Sequence, residues 1–191
     1  MDLHTAAMAE GFMRKIIEYT LLSIDGVFDG HTAGFMEYRD DAYLRDGLGL
    51  LAACDAMLMG RRTYENFAKI WPARVGAHPW AERLNSIKKY VFSSKLENAD
   101  WSNSILVRDD MVAAVSKLKQ QDGRDLLLFG HSLIGRALLK HRLLDVLDLS
   151  IYPVVLGRGG LFFREGEETR MKLVATKTFS KIVKLTYEPQ Y

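Results

Sequence analysis

The sequence predicts an α/β domain with a largely parallel central sheet and an antiparallel edge. Short apolar runs that suit strands alternate with stretches of helical periodicity as far as about residue 145. Beyond that point strands dominate, and the last two form a predicted hairpin that turns near Ser180. The run D-L-L-L-F-G, from Asp125 to Gly130, is apolar after its first residue, as is typical of a parallel strand buried on both faces.

A loop with three glycines separates the first strand from the first helix. Residues 14–23 are rich in β-forming side chains and stop before the turn signal Asp25-Gly26. The loop covers residues 26–34, and helical periodicity follows over residues 40–53.

The centre of the chain continues this alternation. The predicted strands cover residues 56–59, 89–92, 105–108 and 125–130, and three predicted helices cover residues 63–70, 80–86 and 131–140. A further helix starts after Asp109 or Asp110, either of which can cap it, and breaks at Asp122-Gly123.

The last part of the chain supplies the antiparallel edge. Residues 146–156 form a long predicted strand in which Pro153 indicates an edge position or a bulge. The hairpin strands cover residues 172–178 and 182–187.

Composition limits the class of protein. A chain of 191 residues with 48% hydrophobic and 26% charged residues is ordinary for one globular domain. The net charge of +2 gives no reason to expect a nucleic-acid or membrane partner. Cys54 is the only cysteine, which excludes an internal disulfide and a Cys-based zinc cluster, and we expect no metal site.

The N-terminal residues do not have the pattern of a secretion signal. Residues 1–12 lack a basic start with an apolar centre, and no apolar run approaches the roughly 20 residues that span a bilayer. We therefore expect a flexible extension over residues 1–12, one domain over residues 13–191 and a cytoplasmic location.

A strand end, a glycine turn and a helix start come together at Gly60-Arg61-Arg62-Thr63. Such a turn offers unpaired backbone N–H groups and the positive end of a helix dipole to a phosphate. The forked donors of the two arginines suit a nucleotide phosphate better than lysine would. The alternative is an ordinary turn whose arginines face solvent.

A second polar segment, Ser93-Ser94-Lys95, follows another predicted strand. Two hydroxyls and an ammonium at the carboxyl end of a strand can hold a ribose phosphate, because ligands of open α/β sheets bind outside those ends. The alternative is the polar start of a loop.

The third segment follows the buried strand and starts a helix. Gly130 permits close approach of the backbone, and the amides of His131, Ser132 and Leu133 are predicted to be unpaired at the helix start. A pyrophosphate fits there. Alternatively, Ser132 is a helix N-cap and His131 an exposed loop residue.

All three segments follow strands of one predicted sheet, so they can line the same edge. A dinucleotide is long enough to touch all three. The fingerprint G-x-G-x-x-G is absent after the first strand, which disfavours an ordinary Rossmann domain.

These motifs resemble the dihydrofolate reductase-like proteins, and in particular the reductase domain of the bifunctional riboflavin-biosynthesis deaminase/reductase and its stand-alone relatives. The family shares, in this order, segments similar to L-M-G-R-R-T-Y-E, V-F-S-S and F-G-H-S-L-I-G-R-A-L-L. The opening S-I-D-G and the late L-S-I-Y-P-V-V-L-G-R-G-G-L-F-F are also similar. The resemblance covers residues 13–188.

The resemblance implies a three-layer dihydrofolate reductase-like fold, NADPH binding and hydride transfer to a small heterocyclic or sugar-derived substrate. By position, it assigns Gly60, Arg61 and Thr63 to the cofactor-phosphate turn, Ser93 and Ser94 to the adenosine end with its 2′-phosphate, and Gly130, His131 and Ser132 to the pyrophosphate loop. Arg62 favours NADP over NAD, because a cation can meet the extra phosphate.

The chain also departs from the family pattern. His131 stands where the family often has a second glycine, and its Cβ restricts φ. In true dihydrofolate reductases a helix carboxylate holds the pterin, and Asp46 is no positional match for it, so we do not expect folate reduction. The zinc motif of the deaminase half is absent, which leaves the reductase half alone.

Asp25 is the candidate catalytic residue, as a carboxylate that contacts the substrate or relays a proton. The alternative is a turn aspartate that bonds its own backbone. Tyr64, Phe67 and Trp71 form either a stacking site for a heterocycle or part of the core.

Two rival functions remain from the sequence alone. The chain is either a non-catalytic nucleotide-binding protein that retains the fold or a structural dimer. A homodimer through the strand at residues 146–156 or through the C-terminal hairpin is expected, because edge strands invite pairing.

Overall fold

The protein is described by a computed structural model that covers residues 13–29, 32–164 and 166–191. The extension expected over residues 1–12 lies outside this part of the chain. Strands β1 to β8 span Ile16–Ser23, Cys54–Gly60, Lys88–Phe92, Ser104–Val107, Asp125–Phe129, Val146–Tyr152, Arg170–Thr178 and Val183–Gln190. Helices α1 to α5 span Asp41–Ala53, Arg61–Ile70, Ala81–Ser86, Met111–Lys119 and Ser132–Lys140.

The strands form one sheet in the order β4-β3-β2-β5-β1-β6-β8-β7. The first six strands in this order pair in parallel, whereas β8 runs antiparallel to both β6 and β7. Parallel neighbours need crossover connections, which the helices supply. The predicted α/β fold, mostly parallel with an antiparallel C-terminal edge, is confirmed.

Each face of the sheet carries its own core. On β2, Met57 and Met59 belong to an aromatic-rich core with α1, α2 and α3, whereas Ala56 and Leu58 belong to an aliphatic core with α4 and α5. This alternation follows from the side-chain period of two in a strand, with both faces buried. The result is three layers, in agreement with the fold that the sequence motifs imply.

The prediction for β6 was wrong in two respects. The strand ends at Tyr152, before Pro153, because proline has no N–H for the sheet. It also lies inside the sheet, paired with β1 on one side and β8 on the other. β6 therefore offers no free edge for a second copy, and the outer strand on this side is β7.

A 3₁₀ helix, Thr32–Tyr38, occupies part of the segment where only a loop was expected. Phe35 from this helix is buried, and its ring stacks on that of Tyr152 with centroids 4.5 Å apart. A second 3₁₀ helix spans Pro72–Arg74. Tyr64, Phe67 and Trp71 pack in the aromatic core, so they do not form a separate stacking site.

Candidate cofactor and substrate site

The three polar segments lie at one edge of the sheet. They follow β2, β3 and β5, which are neighbours and run in parallel. Gly60, the last residue of β2, is paired with Phe92, the last residue of β3, so Arg61 and Ser93 leave the sheet side by side. The structure thus brings together the segments that the sequence selected.

Two glycines allow the segments that follow β2 and β5 to approach each other closely. Gly130 has a φ of +73°, a left-handed backbone conformation that residues with a side chain rarely adopt. A Cβ on Gly130 would lie 3.9 Å from the Oγ1 of Thr63, and a Cβ on Gly60 would lie 3.4 Å from the Cδ1 of Ile134. Both distances are those of ordinary van der Waals contact, so the two segments lie close together at these glycines.

The helices that follow these segments start without a side-chain cap. Gly60 precedes α2 and His131 precedes α5, and neither helix start is capped by a side chain. By contrast, Asp40 accepts a hydrogen bond of 2.8 Å from the amide of Tyr43 in α1, and Asp110 caps α4 in the same way. The first amides of α2 and α5 therefore have no hydrogen bond from the side chain of an N-cap residue. Uncapped amides at a helix start are typical donors to a phosphate.

The two arginines of the first turn differ in their surroundings. Nη1 of Arg61 lies 3.0 Å from both carboxylate oxygens of Glu65, one helical turn further on. Arg62 is exposed and makes no ion pair within the described ranges. Arg62 is consequently the residue whose charge is more available to a ligand.

Ser93 shapes its own loop. Its hydroxyl oxygen accepts hydrogen bonds from the amides of Lys95 at 3.1 Å and Leu96 at 3.0 Å. The hydroxyl proton remains available to a ligand oxygen. Ser94 is exposed beside it.

The side chain of His131 is buried and points away from the ligand side of its loop. Only 2% of the residue is exposed, and its Nδ1 lies 2.8 Å from an oxygen of Glu18 on β1. His131 is therefore a buried residue and not an exposed loop residue. Ser132 is the first residue of α5 instead of its N-cap, and the next residue, Leu133, is 80% exposed.

Asp25 bonds a neighbouring loop. Its carboxylate accepts hydrogen bonds from the amides of Leu156 at 3.1 Å and Gly157 at 2.7 Å. The hydroxyl of Ser23, together with these two amides, lowers the pKa of Asp25 to about 2. A carboxyl with this pKa is ionised at neutral pH, so Asp25 can accept a hydrogen bond but does not donate a proton to a substrate.

Apolar side chains that the sequence reasoning did not select surround the end of β1. Ile24, Val155, Leu161 and Phe163 are between 45% and 68% exposed. The amide of Ile24 donates to the carbonyl of Val154 at 2.8 Å, and Leu161 forms a β-bridge with the segment that follows Gly26. Exposed apolar residues grouped in this way suit the face of a planar ring.

Buried tyrosines lie behind this region on the aromatic face of the sheet. The hydroxyls of Tyr19 and Tyr43 share a hydrogen bond, and Nε of Arg39 donates to the hydroxyl of Tyr152 at 2.9 Å. Burial raises the pKa of all three phenols above the ordinary value of 10.0, which keeps them protonated. No spacing in the sequence announces this cluster, because its members come from distant segments.

Asp46 of α1 faces lysines instead of the cofactor segments. Its carboxylate pairs with Lys177 and Lys184, and Nζ of Lys184 lies 2.8 Å from Asp148. These contacts join α1 to the antiparallel edge of the sheet. Asp46, which does not match the folate-binding carboxylate, thus forms ion pairs with lysines of the sheet.

A cleft of about 420 Å³ lies at the opposite edge of the sheet, at the amino ends of β2 and β3. Arg83 and Arg124 line it, but both donate to carbonyls at the end of α1, those of Leu51, Ala52 and Cys54. The arginines of this cleft therefore satisfy a helix C-terminus.

The described residues offer neither a metal cluster nor a membrane span. No group of three or more His, Cys, Asp or Glu side chains in this part of the chain could hold a metal ion. None of its helices combines the length and apolar character of a membrane span.

Comparison with known proteins gives a family and a fold. Residues 14–185 match the model of the RibD C-terminal domain. An uncharacterized protein of Bacillus subtilis (strain 168), YyaP, is 30% identical over 182 residues, which is 91% of this chain and 94% of YyaP.

Two solved structures share the architecture. The diaminohydroxyphosphoribosylaminopyrimidine deaminase/5-amino-6-(5-phosphoribosylamino)uracil reductase of Thermotoga maritima superposes with a TM-score of 0.66 and 15% identity, over 93% of this chain and 57% of that chain. Dihydrofolate reductase of Enterococcus faecalis, complexed with NADP(H), gives a TM-score of 0.55 and 17% identity, over 94% and 99%. The predicted dihydrofolate reductase-like fold is confirmed.

Proposed function

The chain belongs to the RibD C-terminal domain family, and from this premise we propose that it is an NADPH-dependent reductase of a small heterocyclic or sugar-derived substrate. The substrate class is pyrimidine- or pteridine-like, with a C=N or C=O bond to be reduced. The name of the Thermotoga maritima protein, a reductase of 5-amino-6-(5-phosphoribosylamino)uracil, supports this class.

The observation that carries the proposal is the pair of uncapped helix starts beside Gly130. α2 and α5 follow neighbouring parallel strands and start without side-chain caps. The φ of +73° at Gly130 turns the chain without placing a Cβ in the gap. Converging backbone N–H groups at helix starts are the usual donors to a pyrophosphate.

Each polar segment takes one part of the cofactor in this proposal. The amides that follow Gly60 and Gly130 hold the pyrophosphate, Arg62 meets the 2′-phosphate, and Ser93 with Ser94 contacts the adenosine end. Arg61, already paired with Glu65, contributes less charge.

The substrate lies at the end of β1 in this proposal. Ile24 and Val155 cover one face of its ring, and the ionised Asp25 accepts a hydrogen bond from a ring amide or hydroxyl. The bound cofactor supplies a hydride. With a pKa of about 2, the Asp25 carboxyl is ionised and does not supply the balancing proton.

The direct test is a fluorescence titration of the purified protein with NADPH and, separately, with NADH. We expect NADPH to bind at least several-fold more tightly, because only NADPH carries the 2′-phosphate. An absence of NADPH binding contradicts the proposal.

A non-catalytic binding protein is the second candidate, and one observation favours it. Neither Asp25, which is ionised, nor Asp46, which is paired with lysines, is available as a proton donor. Oxidation of NADPH in the presence of a pteridine, a flavin precursor or a quinone-like acceptor separates the two functions. Binding without turnover of any acceptor favours the second.

We also propose a cytoplasmic homodimer. β7 is the outer strand at the C-terminal edge, and Leu173 and Val174 on it are 51% and 47% exposed. Pairing of two β7 strands would cover these side chains and the free edge. Light scattering after gel filtration tests this, with Val174→Lys expected to shift the mass from dimer to monomer.

A further inference from the structure

A buried carboxylate and a buried histidine meet beneath the start of α5. Glu18 on β1 is fully buried, and Nδ1 of His131 lies 2.8 Å from its Oε1. Thr20 donates to the same oxygen at 3.2 Å. The other oxygen, Oε2, is buried and has no hydrogen-bond partner among the described residues.

The helix above this pair is shaped to accommodate it. A Cβ at Gly135 would lie 2.5 Å from Nδ1 of His131 and 2.6 Å from Oε2 of Glu18, so only glycine fits. Glycine inside a helix destabilises it relative to alanine. The glycine that the Glu18–His131 pair requires therefore makes α5 less stable than alanine at this position would.

Aromatic rings fix the histidine from its other side. The ring of Phe162 is stacked on that of His131 with centroids 3.9 Å apart and an interplanar angle of 28°. Phe28 meets the histidine ring edge-on at 6.0 Å. The carboxylate and these two rings together restrict the side chain of His131 to one orientation.

The same residue controls the start of the helix. His131 is the N-cap residue of α5, and its carbonyl accepts from the amide of Gly135 at 2.9 Å. The amide of Gly130 donates to the carbonyl of Tyr19, the residue next to Glu18, at 3.1 Å. The loop before α5 is therefore attached to β1 twice, once by backbone and once by the Glu18–His131 pair.

We propose that the Glu18–His131 pair positions the loop from Gly130 to Leu133 so that its amides converge on the pyrophosphate of the cofactor. The inference rests on the proposed function for the nature of the ligand. A buried carboxylate with one unpartnered oxygen is unfavourable for stability alone, which favours a role in holding the loop.

The test compares two ligands that differ in the pyrophosphate. NADPH carries it, whereas 2′-AMP carries the adenosine and the 2′-phosphate without it. For Glu18→Gln and His131→Ala we expect NADPH affinity to fall roughly tenfold, because displaced binding groups lose most of their contribution. The affinity for 2′-AMP should change less than about twofold, since separate sites act independently.

Val115→Ala is the matched control. Val115 on α4 is fully buried in the aliphatic core on the same side of the sheet, whereas the pair lies beneath α5. This variant loses stability without loss of NADPH affinity. Glu18→Gln retains the shape of the side chain, which keeps the comparison informative if His131→Ala does not fold.

Two results of the affinity measurements overturn the inference, and a third removes the proposed function on which it rests. NADPH affinity unchanged in both variants contradicts it while leaving the proposed function intact, and equal losses for NADPH and 2′-AMP indicate a purely structural role. Wild-type protein that does not bind NADPH removes the proposed function. Hydrogen exchange without cofactor then decides the positioning role, because unchanged exchange at amides 131–135 in Glu18→Gln contradicts it and faster exchange supports it.

Discussion

Four helices start at the same edge of the sheet, and they satisfy their first backbone N–H groups in two different ways. Asp40 and Asp110 accept hydrogen bonds from amides in the first turns of α1 and α4. α2 and α5, which follow Gly60 and His131, have no side-chain cap. The uncapped helices follow β2 and β5, which are neighbours in the sheet, whereas the capped helices follow the inner strand β1 and the edge strand β4.

Under the proposed function, this difference separates helix starts that are capped for stability from helix starts that are left to bind an anion. An aspartate N-cap stabilises a helix by about 1 kcal/mol, so its absence from two central helices lowers the stability of the fold. The same absence leaves backbone donors for an anion. An N-cap added to α2 should therefore lower the affinity for NADPH, and removal of the N-cap of α4 should leave that affinity unchanged.

The strongest effect is expected from Gly60→Asp. Gly60 has φ −81° and ψ 163°, close to the φ −98° and ψ 172° of Asp40, so an aspartate there can cap α2. Its carboxylate would occupy the amides and repel a phosphate, lowering NADPH affinity on the order of 100-fold. Stability should rise by about 0.3 kcal/mol, measured by urea unfolding.

Asp110→Ala is the reciprocal variant. It should lower the free energy of unfolding by about 1 kcal/mol, because α4 loses its cap. NADPH affinity should stay at the wild-type value. Equal effects of the two variants on NADPH affinity would remove the distinction between the two pairs of helices.

Gly130→Ala tests the close backbone approach, with Gly76→Ala as its control. Both glycines have positive φ, +73° and +78°, and a Cβ at Gly76 meets nothing within 4 Å. Both variants should lose about 1 kcal/mol of stability from backbone strain. Only Gly130→Ala should lower NADPH affinity, by roughly tenfold, and equal affinities in titration would argue against a ligand at Gly130.

Arg62→Ala should have a smaller and more selective effect. Loss of a charge-assisted contact to the 2′-phosphate is expected to weaken NADPH by about 1–2 kcal/mol and NADH hardly at all. Arg170, exposed on the outer strand β7, supplies the control variant Arg170→Ala. Equal weakening of NADPH and NADH in titrations would place Arg62 away from the 2′-phosphate.

The smallest effect concerns acid stability at Asp25. The pKa of this carboxyl falls from 3.8 to about 2 on folding. The contribution of the ionised carboxyl to the free energy of unfolding is therefore complete above pH 3.8 and is lost as the pH falls through about 2. Asp25→Asn lacks this dependence. The difference in Tm between wild type and variant should therefore shrink from pH 4 to pH 2, and a constant difference contradicts the hydrogen bonds to the loop.

The convergence of the three polar segments could be predicted from the sequence, because carboxyl ends of parallel strands meet at one edge. The two attachments beneath that edge could not be predicted. Glu18 and His131 are 113 positions apart. The local sequence does not indicate that the histidine of a polar motif points inwards to a buried carboxylate. The sequence pattern predicted that the three segments converge, but it did not predict the Glu18–His131 contact beneath them.

The error at β6 has a similar origin. Pro153 suggested an edge or a bulge, but an apolar strand cannot tell from its own residues which neighbours it will pair with. β8 covers β6 because the C-terminal hairpin folds back beside it, with Leu149 opposite Leu185. The 3₁₀ helix near Phe35 likewise depends on a contact with Tyr152 that is distant in sequence.

A crystal structure of the protein with NADP⁺ tests the central claim most directly. The pyrophosphate should accept hydrogen bonds from the first amides of α2 and α5, with the adenosine end toward Ser93 and Ser94. A cofactor bound elsewhere on the molecule, with Gly60 and Gly130 untouched, would contradict it.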